Sequence, residues 1–177
     1  MDKKLTSAIF ATVFALTLTS CGGGSDSVAT TAEEGQALVE VVEEAPQATG
    51  GFDAAIVTPD KNTFTLSSPS AFTPGKFASG HLPGQKNQRF AVKITNGTAA
   101  DLDVATLMVK GETPSGVCVD IFDGDNVMEG APTTPVAVGG SVDFGWGLSC
   151  PGKSGDEIAV VLTIAGVNVI EAKGKLA

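Results

Sequence analysis

The chain has few basic side chains and few residues that commonly bind metals. Its 177 residues include 11 lysines and arginines against 20 acidic residues, one histidine and three cysteines. The formal net charge of −9 repels phosphate backbones and anionic lipid surfaces, so we expect no nucleic-acid partner. The glycine-rich stretches at 22–24 and 139–140 do not match a phosphate-binding loop. We therefore expect no cofactor.

Motifs of nucleophilic catalysis are also missing. The only histidine lies in Gly80-His81-Leu82-Pro83, which has no nucleophile-elbow pattern of the form Gly-x-Ser-x-Gly. A serine triad would require this imidazole beside a serine and a carboxylate in space. We predict that His81 is a solvent-exposed loop residue and that the protein is not an enzyme. A hydrolase is the remote alternative.

The apolar run near the N-terminus is too short for a membrane-spanning helix. It extends from Leu5 to Leu18, about 14 residues without a charge, whereas a spanning helix needs roughly 20. Two lysines precede it and two small residues, Thr19 and Ser20, follow it. This arrangement is typical of a removable secretory signal, which we assign to residues 1–20.

The end of this signal resembles the lipobox of bacterial lipoproteins. Leu18-Thr19-Ser20-Cys21 provides an aliphatic residue, two small residues and a cysteine. In that family a diacylglycerol is attached to the thiol, and the signal is then cut just before the cysteine. The resemblance implies that Cys21 is lipidated and anchors the mature chain to a membrane. The two acyl chains of a diacylglycerol bind a bilayer stably, whereas a single chain does not. An ordinary signal peptide with an incidental cysteine is the alternative.

Residues 21–52 have the composition of a tether. Between Gly22 and Gly51 there are six acidic residues and no basic residue, and both ends are rich in glycine and small polar residues. Such a composition is typical of a flexible linker. We predict a lipidated, acidic linker at 21–52, followed by a folded domain at 53–177.

Beyond residue 53 the sequence alternates short apolar runs with turn signals, and helical periodicity is missing. The predicted strands are Ala54–Thr58, Asn62–Ser67, Arg89–Thr95, one around Ala105, Leu107 and Val109, Val117–Phe122, Ser141–Leu148, Glu157–Ile164 and Val167–Ala172. Phe90, Val92 and Ile94 alternate with more polar residues, which indicates one buried face. The pattern is typical of an all-β, immunoglobulin-like antiparallel β-sandwich.

Two cysteines remain once Cys21 is assigned to lipid. Outside the cytoplasm such a pair usually forms a disulfide. We predict a bond between Cys118 and Cys150, and closing this loop of about 33 residues would contribute roughly 3–4 kcal/mol in the chain-entropy model. Two free buried thiols are the alternative. The spacing of the pair from the distant His81 does not match a zinc site.

Cys118 does not fit the alternation of its predicted strand. Val117, Val119 and Ile121 form the apolar face, whereas Cys118 shares its parity with Asp120. We therefore expect either a position at a sheet edge or a bulge that shifts the register.

The domain also resembles a family. The run from Arg89 to Thr98, the segment from Pro135 to Trp146 through Gly139-Gly140-Ser141, and the final strand pair from Ile158 to Ala172 are similar to immunoglobulin-like lipoprotein domains of unknown function from Gram-positive bacteria, especially actinobacteria. In outline they are also similar to a secreted mycobacterial immunoglobulin-like antigen. The resemblance implies an extracytoplasmic binding or structural module and brings no catalytic residues with it.

An acidic cluster offers candidate calcium ligands. Asp120, Asp123, Asp125 and Glu129 supply hard oxygen donors. Their spacing does not match the EF-hand loop, whose glycine is at the sixth position, and Asp-Gly-Asp-Asn favours a hairpin turn. We predict a turn and no metal, with calcium as the weaker alternative.

Two further residues have a structural and a functional interpretation. Trp146 could stack on a sugar ring, but its place in an alternating strand predicts a core residue. Asn96-Gly97-Thr98 matches the glycosylation sequon, which a bacterial lipoprotein would rarely use.

These features predict a non-catalytic, lipid-anchored binding module on the extracytoplasmic face of the cell membrane. It would reach the membrane through Cys21 and meet an unknown envelope protein or ligand. A structural or accessory subunit of an envelope complex is the alternative. A binding module predicts an exposed apolar or aromatic patch among the loops. An accessory subunit predicts a flat sheet-face interface, and an enzyme predicts a pocket that holds His81 or paired carboxylates.

Overall fold

A computed structural model describes residues 44–177 of the protein. The predicted signal peptide, the predicted lipidation site Cys21 and most of the predicted linker lie outside the described residues. The strands are β1 Ala48–Gly51, β2 Ile56–Val57, β3 Thr63–Leu66, β4 Ser70–Ala71, β5 Lys86–Thr95, β6 Met108–Thr113, β7 Gly116–Val117, β8 Val119–Ile121, β9 Ser141–Cys150, β10 Glu157–Ile164 and β11 Val167–Lys175.

The strands form two sheets that face each other as a sandwich. The first sheet has the order β1-β11-β10-β6-β7, and the second has the order β2-β3-β5-β9-β8 with β4 also paired to β5. The strand pairs are antiparallel except for β1 and β11, which are parallel. The prediction of an all-β sandwich is confirmed. Within residues 44–177, no helix is long and apolar enough to cross a membrane.

The core lies between the sheets and is built from alternate residues of the strands. On β5, the side chains of Phe90, Val92 and Ile94 are at most 2% exposed, as the alternation predicted. On β9, Trp146 and Leu148 are also buried, with exposed fractions of 6% and 0%. The indole of Trp146 is therefore a core group and is not free to stack on a sugar.

The last hairpin matches its sequence pattern closely. The predicted strand 157–164 has the bounds of β10, and β11 continues past the predicted end to Lys175. Ala165 and Gly166 both have positive φ angles, of 50° and 80°. Left-handed conformations at both central residues match the twist of the flanking strands, which is the usual reason for such a two-residue turn.

The folded region begins earlier than the predicted linker boundary. Residues 48–51, which we assigned to the end of the linker, form β1 and pair with β11 in register from Ala48 to Gly51. Their small side chains suggested a linker, yet they allow close packing here. A Cβ at Gly50 would lie 2.7 Å from Cγ1 of Ile56.

The chain changes sheets at Cys118, which explains its conflicting parity. Val117 pairs with β6 of the first sheet, and Val119 pairs with β9 of the second. The predicted single strand 117–122 is therefore two short strands, and the predicted common apolar face is wrong. Val117 and Val119 are 68% and 39% exposed, whereas Ile121 is 2% exposed.

The disulfide between Cys118 and Cys150 is present, with the two Cα atoms 4.2 Å apart. Cys150 is the last residue of β9, so the bond joins the point where the chain crosses between sheets to the end of a central strand. Both side chains belong to the hydrophobic core. The bond thus fixes the position from which β8 begins.

Candidate interaction surface and binding groove

The four acidic residues of the predicted cluster differ in their surroundings, and only Asp123 and Asp125 both lie beside Gly75. The side chain of Asp120 accepts a hydrogen bond from Nε1 of Trp146 at 2.9 Å. Burial raises the pKa of Asp120, and this hydrogen bond lowers it in part. Asp125 and Glu129 are exposed. In the described part of the chain, no group of three or more His, Cys, Asp or Glu side chains is arranged to hold a metal ion.

Asp123 connects two loops. Its side chain is 2% exposed, and Oδ2 accepts hydrogen bonds from the backbone N–H of Gly75 and the side-chain amide of Asn126, both at 2.8 Å. These bonds hold the pKa of Asp123 below its ordinary value, and the bond from Gly75 has the largest effect. They do so because they stabilise the carboxylate form. Asp123 therefore ties the segment 72–85 to the turn at 123–128.

We expect this connection to make the protein sensitive to acid. A carboxyl group whose pKa is lowered in the fold stabilises the fold above its unfolded pKa, and that stability is lost as the pH falls through the folded pKa. Asp123→Asn should therefore lower the free energy of unfolding at neutral pH, and the difference from the wild type should shrink as the pH falls below the ordinary aspartate range. Urea unfolding of both proteins across acidic pH measures this difference.

Asp53 provides the matched background for that comparison. Hydrogen bonds from the Ser68 side chain and backbone also lower the pKa of Asp53, so it titrates in both proteins and cancels in the difference. A difference between wild type and Asp123→Asn that stays constant with pH would contradict the assigned role of Asp123.

The segment 72–85 lies along the outer edge of β8. Ser79 and Phe122 exchange both of their backbone hydrogen bonds, at 2.9 and 3.1 Å. Gly80 has a φ of 84°, and a Cβ there would lie 1.8 Å from the carbonyl oxygen of Asp120. Only glycine permits both this conformation and this close approach. The segment therefore covers the edge of β8, which protects it from pairing with another sheet.

Four large apolar side chains are exposed on this segment and on residues 119–122 beside it. Phe77, Phe122, Leu82 and Val119 have exposed fractions of 83%, 48%, 41% and 39%, and we name them the loop surface. Nζ of Lys76 lies 5.4 Å from the ring centroid of Phe77, within the range of a cation–π contact. Exposed apolar groups on adjoining segments make this region a candidate interaction surface.

His81 and Asn96 are not part of the loop surface. His81 is exposed in the same segment, as predicted for a loop residue. Asn96 is fully buried, and its side-chain amide donates to the carbonyl oxygens of Ala100 and Val136, each at 2.8 Å. The sequon asparagine is therefore a structural residue, inaccessible to a glycosylating enzyme in the folded protein.

Met128 packs the turn at 123–128 onto the outer face of the second sheet. Asp123 and Met128 exchange both backbone hydrogen bonds, at 2.9 and 3.0 Å, and the side chain of Met128 is 2% exposed. A Cβ at Gly147 would lie 2.9 Å from Sδ of Met128, and one at Gly145 would lie 2.8 Å from the carbonyl oxygen of Val127. The two glycines of β9 thus provide the space that the turn occupies.

A groove of about 480 Å³ lies beside this turn, and we name it the sheet groove. Its floor is formed by Ala91 and Gly145, which are cross-strand neighbours on β5 and β9 and present only a methyl group and a hydrogen. Val127 and Met128 line one side and Ser67 the other. The volume falls within the roughly 300–1,000 Å³ that is typical of small-molecule sites.

No sequence pattern identified the sheet groove. Gly145 and Gly147 interrupt an otherwise alternating strand, and glycine inside a strand often marks a close approach by another backbone. That signal was present, but it did not indicate that the turn around Met128 is the approaching segment. Only the folded chain brings residues 91, 127 and 145 together.

Comparison with known proteins supports the fold. No family model and no curated protein matches the chain. A solved structure from Bacillus subtilis subsp. subtilis str. 168, a "putative lipoprotein (ycdA)", is 12% identical with a TM-score of 0.52; the match covers 75% of this chain and 39% of that one. This chain therefore spans about two-fifths of the Bacillus protein.

The secreted protein MPT63 from Mycobacterium tuberculosis is likewise 12% identical with a TM-score of 0.52, and the match covers 74% of this chain and all of MPT63. At this identity both likenesses concern the fold alone. This chain is thus a β-sandwich similar in fold to a secreted protein and to part of the Bacillus protein.

Proposed function

We propose that this protein is a non-catalytic binding module of the bacterial cell envelope, anchored on the extracytoplasmic side of the membrane through lipid on Cys21. It binds an envelope protein through the loop surface. The observation that carries the proposal is the exposure of Phe77, Phe122, Leu82 and Val119 on two hydrogen-bonded segments. The fold is shared with a secreted protein and with part of the Bacillus protein, which supports an extracytoplasmic location.

The shape of the surface favours a protein partner. The apolar groups protrude from the segment 72–85, from β8 and from Phe122 just after it. Large exposed apolar groups bury most area against a complementary protein surface, and aromatic residues are enriched at the centres of such interfaces. The hydrogen bonds of Asp123 and Ser79 hold the two segments in place before binding, which reduces the entropy lost on association.

Site-specific photocrosslinking of the full chain in intact cells tests this proposal. A photoreactive residue in place of Phe77 should yield a defined crosslinked product, and Phe122→Ser in the same chain should lower its yield. The matched control is a photoreactive residue in place of Val138, which is 55% exposed in a turn outside the loop surface. Equal products at both positions, or no product at Phe77, would refute the proposed surface.

The same cells test the anchor. Cys21→Ser removes the thiol that the lipid requires, so this variant should leave the membrane fraction and lose the crosslinked product. Retention of Cys21→Ser in the membrane fraction would mean that Cys21 is not the anchor, whatever the result at Phe77.

A further inference from the structure

The sheet groove carries an uneven distribution of charge. At one end is Arg89, the only arginine in the chain, whose Nε donates to Oγ of Ser70 at 3.3 Å. Its cross-strand neighbour on β9 is Gly147, so no carboxylate faces it across this pair. Within residues 44–177 the terminal nitrogens of the guanidinium make no further hydrogen bond. The bond to Ser70 orients the group and leaves its two-pronged end available.

The opposite end of the groove has a different character. Asp143 lines it and is paired across the strands with Lys93, so two opposite charges face each other there. Along β5, Arg89 and Lys93 are four residues apart, which places the two ends roughly 13 Å apart. Asp143 disfavours an anionic ligand group at this end, and the positive charge of Lys93 disfavours a cationic one. Only the Arg89 end favours a charged ligand group, and the charge of that group must be negative.

The middle of the groove is apolar. Ala91, Val127 and Met128 line it. Val127 is 74% exposed and has a φ of 57°, a left-handed conformation that a β-branched residue rarely adopts. Val127 lies between Asp123 and Met128, which exchange both backbone hydrogen bonds, and it lines the groove. Unusual backbone held by its surroundings often accompanies a binding site.

We propose that the sheet groove binds a free carboxylic acid with an unbranched apolar chain. The carboxylate accepts two hydrogen bonds from the terminal nitrogens of Arg89, the geometry for which a guanidinium is best suited. The chain lies over Ala91 and along the largely exposed Val127, so apolar surface is removed from water on both molecules. Asp143 at the far end fixes the orientation. This site is separate from the loop surface and does not depend on it.

Isothermal titration of the full chain with decanoate, below its micellar concentration, tests the proposal. We expect one site per chain, weaker binding of octanoate and hexanoate, and no comparable binding of decanol, which lacks the carboxylate. Arg89→Gln should weaken decanoate binding about tenfold or more, the effect of losing hydrogen bonds to a charged group. Ala91→Leu fills the floor and should abolish binding even if Arg89→Gln folds poorly.

Two control variants separate this site from other surfaces. Lys153→Gln removes a positive charge from an exposed turn and should bind decanoate like the wild type. Phe77→Ser disrupts the loop surface and should also leave decanoate binding unchanged. A negative result for the sheet groove is therefore distinguishable from a negative result for the proposed function. Equal binding of decanol, an unaltered affinity in Arg89→Gln or Ala91→Leu, binding of a short peptide carboxylate in place of decanoate, or no heat at all would overturn the proposal.

Discussion

Loss of the Cys118–Cys150 disulfide should lower the free energy of unfolding by about 2–5 kcal/mol. The bond closes a loop across a sequence separation of 32 residues, and without it the unfolded chain gains the freedom that this closure removes. Domains of this size are stable by only about 5–15 kcal/mol, so the change is a large part of the total. We expect the Cys118→Ala, Cys150→Ala double variant to unfold at a much lower urea concentration.

Urea unfolding followed by the fluorescence of Trp146 measures this loss. The single tryptophan is buried and bonded to Asp120 on β8, so its emission reports on the region beside the disulfide. Reduction of the wild type with dithiothreitol is the matched control, because it breaks the bond without changing the sequence. It should reproduce the effect in the wild type and leave the double variant unchanged.

The position of the bond adds a local expectation. Cys118 is the residue at which the chain leaves the first sheet for the second, and a single residue separates β7 from β8. Breaking the bond should therefore increase amide hydrogen exchange in 116–122 more than in β10. Uniform exchange changes across both sheets, or a loss below about 0.5 kcal/mol, the size of an ordinary surface substitution, would contradict the role assigned here.

Met128→Ala should destabilise the protein by about 2–5 kcal/mol. The side chain of Met128 is 2% exposed and fills the space above Gly145 and Gly147, where neither residue of β9 contributes a side chain of its own. Truncation to alanine leaves a cavity that glycine neighbours cannot fill by changing rotamer. The turn at 123–128 then loses its main apolar contact with the sheet.

A second methionine in the same domain provides the control. Met108 lies on β6 and is 54% exposed, so Met108→Ala removes the same atoms from a largely solvated position. We expect it to change the free energy of unfolding by no more than about 0.5 kcal/mol. Similar losses in Met108→Ala and Met128→Ala under urea unfolding would show that the turn does not pack on β9 in solution.

The sandwich follows from patterns that act within a few residues. Alternation along Arg89–Thr95 and Ser141–Leu148 has a period of two, because successive side chains of a strand point to opposite faces and one of those faces forms the core. The turn at Ala165-Gly166 is likewise a local preference. These properties belong to the chain itself, so the all-β class, most strand positions and the pairing of two cysteines could be predicted without the structure.

The start of the fold could not be obtained in the same way. Residues 48–51 carry almost no side-chain information, and they form β1 only because β11 offers a free edge more than a hundred positions later in the sequence. The crossing at Cys118 is similar, since each side of it pairs with a strand of a different sheet. Backbone pairing between distant segments depends on which edges remain free, and short-range sequence patterns do not specify that.

The sequence by itself determined most of the strand pattern, the cysteine pair and the resemblance of residues 18–21 to a lipobox, because each depends on neighbouring residues or on composition. Only the tertiary structure decided where function could lie. It placed Asp123 between two loops, exposed Phe77 and Phe122 on adjoining segments, and set Arg89 at the end of a groove floored by Ala91 and Gly145. Such surfaces are formed by residues that are distant in sequence, so short-range sequence patterns do not specify them.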